Sequence, residues 1–454
     1  MIKLKEKFVL IIGDLFSHLK EEKIDYVILR NFDNLPAEVS RDIDFLVRNN
    51  DVNNIMQFLK NSCKLYGVKI VHSYEKYCYT KVILGMEISD NDMIFLQIDF
   101  FSPENYMGIE YYDENKLFSS KETRNDYFIP SLDFYCSSLI LTAFLNGYMK
   151  ERYIKALHGL LNDKVLRQKV VKILKRVVPS GVANKMVDKI LKKRMNGNIK
   201  NKQYVFFFML KNILNRPLRS AYAFFNYITG HLKLIISPPG KFVVFIGPDG
   251  SGKTSTVERL FQISEGVVYN KCKYNHGNFL VLPELKVLKK FLFQPKRDKT
   301  NLDGCTQENM LLDSNNKELG ANISSLRKLV YIIYYGLNNF LYKFKLFFLK
   351  KNNYLVVSDR YYYDYFYQKD YAQTPVFIIR LFLKIIPKPD LTIYLSNEGE
   401  VIFKRKQDID LNEIKRQQKR INSNLKYFNN VVKINTNKSI DKVADEVLMR
   451  IIDS

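Results

Sequence analysis

One eight-residue stretch restricts what this chain can fold into more than any other. Residues 247–254 read GPDGSGKT and match the pattern G-x-x-x-x-G-K-[ST] at every fixed position. An apolar run at residues 242–246 precedes the stretch, and a helical segment is expected after it. The order strand, glycine-rich turn, helix predicts an α/β domain with this turn at the carboxyl end of a strand.

The chemistry of that turn points to phosphate. Glycines let the backbone curl so that successive N–H groups face one point, and the start of the next helix adds partial positive charge. Lys253 can reach the outer phosphates of a nucleoside triphosphate, and the Thr254 hydroxyl can hold Mg²⁺. We therefore predict that ATP and Mg²⁺ are bound by Gly247, Asp249, Gly250, Ser251, Gly252, Lys253, Thr254 and Ser255.

The length of the chain predicts more than one domain. A chain of 454 residues is too long for one ordinary core. The Pro-Pro-Gly stretch that ends at Gly240 is stiff and lies directly before the apolar run, so it predicts a domain boundary. We predict a domain at residues 1–126, a helical basic connector at residues 127–239, and an α/β domain at residues 240–454.

The charge balance favours anionic partners. Lysine and arginine number 71 against 47 acidic residues, a formal net charge of +24. Such a chain is expected to associate with nucleotides, phosphorylated glycans, nucleic acid or an acidic membrane face. A biased base composition of the gene explains the many lysines equally well, and the sequence leaves both readings open.

Cysteine usage and hydropathy predict a cytoplasmic protein. The five cysteines are scattered and form no C-x-x-C pair, which argues against a disulfide framework or a zinc site. The N-terminal apolar run is interrupted by Asp14, so no signal peptide is expected. No run of about 18 uncharged apolar residues occurs, so no membrane span is predicted. A peripheral membrane location and a homodimer stay open.

Three carboxylates in the N-terminal part stand on predicted strands. Asp42 and Asp44 are two residues apart, a spacing that puts both on one face of a strand, and Asp99 lies on a later strand. Three carboxylates on neighbouring strands are what a two-metal nucleotidyl-transfer site needs. Acids at strand ends also commonly face water and do nothing further.

The segment YVILRNFDNLPAEVSRDIDFLV, residues 26–47, resembles the uncharacterised nucleotidyltransferase-like proteins of the polymerase-β type. The resemblance implies an α+β domain in which Asp42, Asp44 and Asp99 bind metal. The family usually has Gly-Ser at the turn before the first two acids, where this chain has Arg30-Asn31. An active domain and a substrate-holding domain without activity are both open alternatives.

In the middle part, residues 131–153 look like a buried helix, and residues 163–194 are basic and have helical periodicity. Residues 204–235 mix aromatic residues with lysine and arginine. They predict a helical connector with a solvated basic face. The alternative is peripheral contact with an anionic membrane, because basic helices with aromatic residues lie in lipid interfaces. No recognition motif supports binding to nucleic acid.

The C-terminal part alternates strands and helices, which predicts a doubly wound parallel sheet with its ligand at the strand ends. The apolar run at 354–357 leads to Asp359 and Arg360, an acid that can hold Mg²⁺ and a base that can bind phosphate. Residues 401–426 are strongly charged and predict a basic lid that closes over the phosphates.

Four motifs in this part, GPDGSGKT, SDRYYYD, PKPDLTIYL and FKRKQDIDLNEIKRQQKR, together resemble the thymidylate-kinase-like P-loop family. The match is nearest to the branch associated with capsule and other surface polysaccharides. The resemblance implies that Lys253 stabilises the transferring phosphoryl group and that Asp249 approaches a sugar hydroxyl. It implies that Asp359 and Arg360 serve the metal and the acceptor phosphate, and that lid cations, here Arg405 and Arg416, assist transfer.

One departure affects the acceptor. Thymidylate kinases clamp their acceptor with an arginine and an aromatic residue, whereas residues 273–286 here contain His276 and no arginine. The predicted function is an ATP- and Mg²⁺-dependent phosphotransferase acting on a nucleotide or a sugar or glycan precursor. The alternatives are nucleotidyl transfer by the N-terminal acids and a nucleotide-gated scaffold at a membrane with little catalysis.

Overall fold

The computed structural model divides the chain into two compact units, Met1–Ser237 and Pro238–Ser454. It describes residues 2–32, 35–36, 39, 41–89, 92–192, 198–276, 281–282, 317–359, 361–368, 376–407 and 410–454. Each unit is described by itself below. None of the helices in these ranges combines the length and the apolar character needed to cross a lipid bilayer.

The first unit contains nine strands and nine helices in its described ranges. The strands are β1 Tyr26–Arg30, β2 Asp42–Val47, β3 Lys69–Lys76, β4 Tyr79–Ser89, β5 Asp92–Phe101, β6 Asn105–Tyr106, β7 Ile109–Glu110, β8 Glu122–Arg124 and β9 Tyr127–Ile129. The helices are α1 Ile2–Glu21, α2 Val52–Tyr66, α3 Glu114–Ser119, α4 Leu132–Asn146, α5 Glu151–Leu160, α6 Lys164–Val177, α7 Ser180–Leu191, α8 Lys202–Asn215 and α9 Pro217–Ile236.

The main sheet of this unit is mixed and has the order β1-β2-β5-β4-β3. Strands β2 and β5 run parallel, and the other neighbours are antiparallel. Alternate residues of the strands enter two different cores, as the pleat requires. Ile28 and Phe45 pack with α1 and α2, whereas Leu29 and Leu46 pack with α4 and the helices beyond it.

Glycine and proline residues divide the middle part into short helices. Gly147 ends α4 in a left-handed conformation with φ +83°, which glycine adopts without strain. Pro179 separates α6 from α7, and Pro217 begins α9 as its first residue. The expectation of one buried helix over 131–153 is wrong, because α4 ends at Asn146 and α5 begins at Glu151.

These middle helices share a core with the strands before them, because α4, α6, α7 and α8 contribute to the same cluster as Val27 and Leu46. They pack within the first unit. The sequence-based division at residues 126 and 239 stays a prediction, as does the likeness of this unit to nucleotidyltransferases.

The second unit contains five strands and six helices in its described ranges. The strands are β10 Lys241–Ile246, β11 Lys271–Asn275, β12 Tyr354–Ser358, β13 Leu391–Ser396 and β14 Val431–Asn435. The helices are α10 Lys253–Ser264, α11 Lys317–Lys351, α12 Val376–Ile385, α13 Gly399–Arg405, α14 Leu411–Asn424 and α15 Ile440–Ile452.

The sheet of the second unit has the order β11-β12-β10-β13-β14, and every pair is parallel. Phe242, Val244 and Ile246 of β10 pack with α11 and α12, while α10 and α15 pack together beside β11 and β14. The predicted doubly wound parallel sheet is thus confirmed for the described residues. After β12 the chain crosses to the other side of β10, and such a switch point opens a ligand crevice at the carboxyl ends of the strands.

Candidate functional site

The loop between β10 and α10 occupies this switch point. Gly250 and Gly252 have φ of +88° and +94°, the left-handed region that favours glycine. A Cβ on Gly247 would lie 2.8 Å from the carbonyl oxygen of Leu395, so this position also excludes a side chain. Helix α10 begins at Lys253, and its first N–H groups therefore point into the loop.

The ammonium of Lys253 is folded over the same loop. Its Nζ donates to the carbonyl oxygens of Gly247 at 2.7 Å and Pro248 at 2.9 Å, and lies 3.4 Å from Asp249 Oδ1. The side chain is 8% exposed. A positive charge is thus held at the mouth of the loop by ligands that are neutral except for Asp249, a setting in which phosphate oxygens are strong competitors.

A cavity of about 560 Å³ opens on the loop. It brings together the predicted loop residues 249–255, the strand-end acid Asp359 and the lid residue Arg405. It also includes Lys406, a second cation of the predicted lid, and two residues that the sequence did not single out for this site, Thr436 and Lys438. Four cationic side chains, Lys253, Arg405, Lys406 and Lys438, face two carboxylates, so the cavity carries a net positive charge suited to phosphates.

Asp359 is held by two residues from β11 and its end. Tyr274 Oη donates to Asp359 at 2.6 Å, and His276 Nδ1 lies 2.9 Å from the same carboxylate. Asp359 is only 2% exposed. Burial and then the bond to Asp359 raise the pKa of Tyr274, so this phenol stays a hydrogen-bond donor. Sequence reasoning noted His276 only as a residue of the acceptor region, more commonly a surface or packing histidine than a ligand, and it did not identify Tyr274.

The spacing of Tyr274 and His276 in the sequence is a signal that both lie on one face of a strand. Tyr274 and His276 are two apart, and β11 lies parallel to β12 with Asn275 opposite Ser358. Residues two apart on a strand face the same side. Together with the pairing of β11 to β12, this spacing brings both residues beside Asp359.

The predicted lid cations are placed differently from one another. Arg405 donates to the carbonyl oxygen of Thr436 at 2.9 Å and lines the cavity. Arg416 pairs with Glu413 and donates to the carbonyl oxygen of Tyr367 at 3.4 Å, and it is not among the cavity-lining residues. Arg360 lies outside the described residues.

The loop fits a triphosphate with its metal. Ser251 Oγ is buried and has no hydrogen-bond partner in the described part of the protein. The Thr254 hydroxyl contacts Tyr274, whose Oη also donates to Asp359. Tyr274 therefore brings the Thr254 hydroxyl and a carboxylate oxygen of Asp359 close together. No group of three or more His, Cys, Asp or Glu side chains is arranged to hold a metal within the described ranges. Mg²⁺ needs no such group, because it commonly takes one or two protein oxygens plus substrate phosphates.

The N-terminal carboxylates form a separate cluster in the first unit. Asp44 and Asp99 lie opposite each other on β2 and β5, and Asp42 lies opposite Gln97. Asp99 accepts from Gln97 Nε2 at 2.7 Å and from Tyr79 Oη at 3.0 Å. Burial raises the pKa of Asp99 and raises that of Asp44 to about 7.

A cation of the protein itself stands in this cluster. Arg30 Nε lies 3.7 Å from Asp44 Oδ2, and its Nη2 donates to Glu104 Oε1 at 2.6 Å. Glu104 is buried and also accepts from Ser138 Oγ at 2.6 Å. Binding of metal by Asp42, Asp44 and Asp99 stays a prediction, and any metal there would compete with the Arg30 guanidinium.

Two solved structures similar to part of this chain are thymidylate kinases. The enzyme from Candida albicans is 18% identical, with 47% of this chain and 91% of that chain covered and a TM-score of 0.31. The enzyme from Ehrlichia chaffeensis is 18% identical, with 47% and 100% covered and a TM-score of 0.29. No protein-family model matches the sequence, and no curated protein matches it. Likeness at this level shows nothing about activity, so the proposed function rests on the geometry of the site.

Proposed function

We propose that the second unit is a phosphotransferase that transfers the γ-phosphoryl group of ATP to a nucleotide or a sugar or glycan-precursor acceptor. One observation carries the proposal: the glycine-rich loop with Lys253, the acid Asp359 and the cation Arg405 all border the same cavity at the switch point of a parallel sheet. We propose a role in surface-polysaccharide synthesis, on the motif resemblance alone.

The protein supplies position and charge in this reaction. An acceptor oxygen forms a bond to the γ-phosphorus while the bond from that phosphorus to the β–γ bridging oxygen breaks, and ADP leaves. Backbone N–H groups at the start of α10 hold phosphate oxygens. Lys253 exchanges its carbonyl partners for phosphate oxygens, and Arg405 and Lys438 neutralise charge that builds up during transfer.

The hydroxyl and carboxylate pair is suited to a metal ion. Thr254 and Asp359 would hold Mg²⁺, which would neutralise phosphate charge. Tyr274 and His276 fix the Asp359 carboxylate from the β11 side, so they orient this ligand.

The acceptor class follows from what borders the cavity. Among the described residues its lining is mostly hydroxyl, carboxylate and cationic side chains, with the aliphatic Ile440 and Val443 and a single aromatic ring, the imidazole of His276. A phosphorylated, hydroxyl-rich acceptor fits this lining. The nucleoside monophosphate of the resembling family is the second choice.

The test is a product-resolved assay on the full chain. The protein is incubated with ATP and Mg²⁺ against sugar phosphates and nucleoside monophosphates, with ADP, AMP and pyrophosphate followed separately. We expect ADP that depends on one acceptor class and that is lost in Lys253→Ala. Lys271→Ala is the matched control, since Lys271 is an exposed lysine of the same sheet.

Two outcomes would overturn the proposal. Pyrophosphate release that Lys253→Ala leaves intact would move the chemistry to the N-terminal acids. ATP that binds tightly but yields no product with any acceptor would favour the nucleotide-gated scaffold.

A further inference from the structure

Helices α8 and α9 expose many of their large apolar side chains to solvent. The buried residues of α9 are small or few: Ser220, Ala223, Gly230 and Leu234. Its outward residues are large and apolar, and Leu218 and Ile236 are 86% and 87% exposed. An amphipathic helix of a soluble domain normally has the reverse arrangement.

The outward residues of α9 form a regular stripe. Leu218, Tyr222, Phe225, Leu232 and Ile236 are all exposed and recur at intervals of three, four or seven residues. That spacing places them along one face of the helix. Scattered exposed apolar residues need no explanation, but a continuous apolar stripe marks an interaction site.

Helix α8 also exposes large apolar side chains. Tyr204 and Phe208 are buried, whereas Phe206, Leu210 and Ile213 are exposed. Two of its polar side chains, Lys211 and Asn212, reach inward.

Those inward polar side chains hold α8 on the body of the unit. Lys211 Nζ donates to the carbonyl oxygen of Val178 at 3.1 Å, and Asn212 Nδ2 donates to that of Val177 at 3.1 Å. The apolar face is therefore turned outward by specific contacts.

Helix α9 is also fixed in this orientation by close backbone contacts. A Cβ on Gly230 would lie 2.5 Å from Cβ of Tyr77, and a Cβ on Gly108 would lie 2.4 Å from the carbonyl oxygen of Ala223. Both contacts need glycine. The small inward face lets α9 approach the unit closely, and the outward stripe is the consequence.

The charged residues of α8 and α9 indicate what kind of partner this surface binds. Residues 202–236 contain five lysines and arginines and no aspartate or glutamate. Arg219 pairs with Glu110 and Lys233 pairs with Glu75, while Lys202 and Arg216 are exposed. Two copies of this surface facing each other would bring like charges together, which is unfavourable. An anionic lipid surface matches both the apolar stripe and the positive charge.

A cavity of about 380 Å³ lies at the junction of the two helices. Its charged lining consists of four cations and two carboxylates: Lys116, Arg176, Arg216, Arg219, Glu110 and Asp113. The excess of positive charge suits the phosphate of a lipid headgroup. The cavity thus adds a headgroup contact beside the apolar stripe.

We infer that the outward face of α8 and α9, hereafter the α8–α9 surface, binds in the plane of an anionic lipid bilayer with its apolar stripe among the acyl chains. This surface is part of the first unit and does not depend on the proposed phosphotransferase activity. It gives the protein a peripheral membrane position in addition to its nucleotide site.

The test is vesicle binding by the full chain. Flotation is measured with phosphatidylcholine vesicles that contain or lack phosphatidylglycerol, over a salt series. We expect binding only to the anionic vesicles and a decline with salt, because screening weakens attraction to the surface.

Variants separate the apolar and ionic parts. Leu218→Ser with Phe225→Ser should weaken vesicle binding by about tenfold per side chain, since each loses apolar burial. Leu65→Ser, at a 76% exposed leucine on α2, is the control and should change nothing. Lys202→Gln and Arg216→Gln should weaken binding by about fivefold each. All of these positions are exposed, so unchanged thermal melting verifies the fold.

Two results would overturn the inference. The first is absence of binding to anionic vesicles, or equal loss in the Leu65→Ser control. The second is a shift from dimer to monomer caused by Leu218→Ser with Phe225→Ser in the absence of lipid, measured by sedimentation velocity. That shift would make the α8–α9 surface a contact between two copies of the chain.

Discussion

Replacing Asp44 by asparagine should stabilise the first unit, and more so at high pH than at low pH. Asp44 is 6% exposed and lies on the central parallel pair of the N-terminal sheet. Burial raises its pKa from 3.8 to about 7, although Arg30 beside it acts in the opposite direction. The folded protein therefore holds a proton on Asp44 that the unfolded chain releases.

The sign and size follow from linkage. Below about pH 4 both states are protonated, and Asp44 has no effect on the free energy of unfolding. As pH rises from about 4 to about 7, unfolding releases a proton, so stability falls by about 1.4 kcal/mol per pH unit. With the folded pKa near 7, the loss is about 1.5 kcal/mol at about pH 5 and about 4 kcal/mol at about pH 8.

Asparagine cannot ionise, so Asp44→Asn removes this loss. If the variant weakens the contact with Arg30, the resulting change in the free energy of unfolding varies little with pH. The clean expectation is the difference between the two pH values, a gain about 2.5 kcal/mol larger at about pH 8 than at about pH 5.

The assay must follow the first unit within the full chain. The protein contains no tryptophan, so we would use urea unfolding read by pulse proteolysis, with fragments of residues 1–237 identified by mass. Asp25→Asn is the matched control. The hydrogen bond from Lys121 lowers the pKa of Asp25, so this variant should destabilise at neutral pH and lose its effect as pH falls.

An Asp44→Asn gain that is the same at both pH values would refute the reasoning. It would mean that Asp44 is ionised in both the folded and the unfolded protein, with the attraction of Arg30 offsetting the cost of burial. A loss of stability that grows with pH would point the same way.

Three further predictions concern the two units. Lys253→Ala should lower the rate of ADP formation by at least about 100-fold because a major phosphate contact is lost, and wild-type turnover would contradict this. Arg405→Ala should lower turnover by about tenfold or more, whereas Arg416→Ala should change it little, because only Arg405 lines the cavity. The opposite ranking of these two variants in steady-state kinetics would refute that placement. Gly230→Ala should destabilise the first unit by about 1–3 kcal/mol through its clash with Tyr77, and an unchanged urea midpoint would show that α9 can move away.

The parts of the fold that the sequence predicts well are those set by local pattern. The strand and turn around Lys253 and the strand that leads to Asp359 occur as expected. Each is a short apolar run followed by residues that end it. The sequence also places the acids on neighbouring strands, and in the structure Asp44 on β2 lies opposite Asp99 on β5.

The parts that sequence reasoning missed depend on contacts between distant residues. Strand β11 is short and polar, so its pairing with β12, rather than its own composition, makes it a strand. Arg405 and Arg416 are equivalent in sequence, and only the packing of α13 and α14 directs one to the cavity and the other to Glu413. The outward stripe of α9 has the same spacing as the buried face of an ordinary helix. The close contact between Gly230 and Tyr77 shows which face of α9 packs inward.

The turn at Arg30 shows how one substitution changes the chemistry expected of a cluster. The sequence offers Arg30-Asn31 where the resembling family has two small residues, and the arginine side chain has room to fold back. It reaches Asp44 and Glu104, so the carboxylates have a protein cation as neighbour. Even so, burial holds the pKa of Asp44 above its usual range, so the desolvation cost exceeds the attraction of one guanidinium. A divalent ion would have to stabilise the Asp44 carboxylate more than Arg30 does. It would also be repelled by the Arg30 guanidinium. Arg30→Ser therefore separates the two roles: if the first unit gains pyrophosphate release with Mg²⁺ in this variant, the arginine holds an otherwise competent site inactive, and if it only loses stability, the arginine is a structural counter-ion.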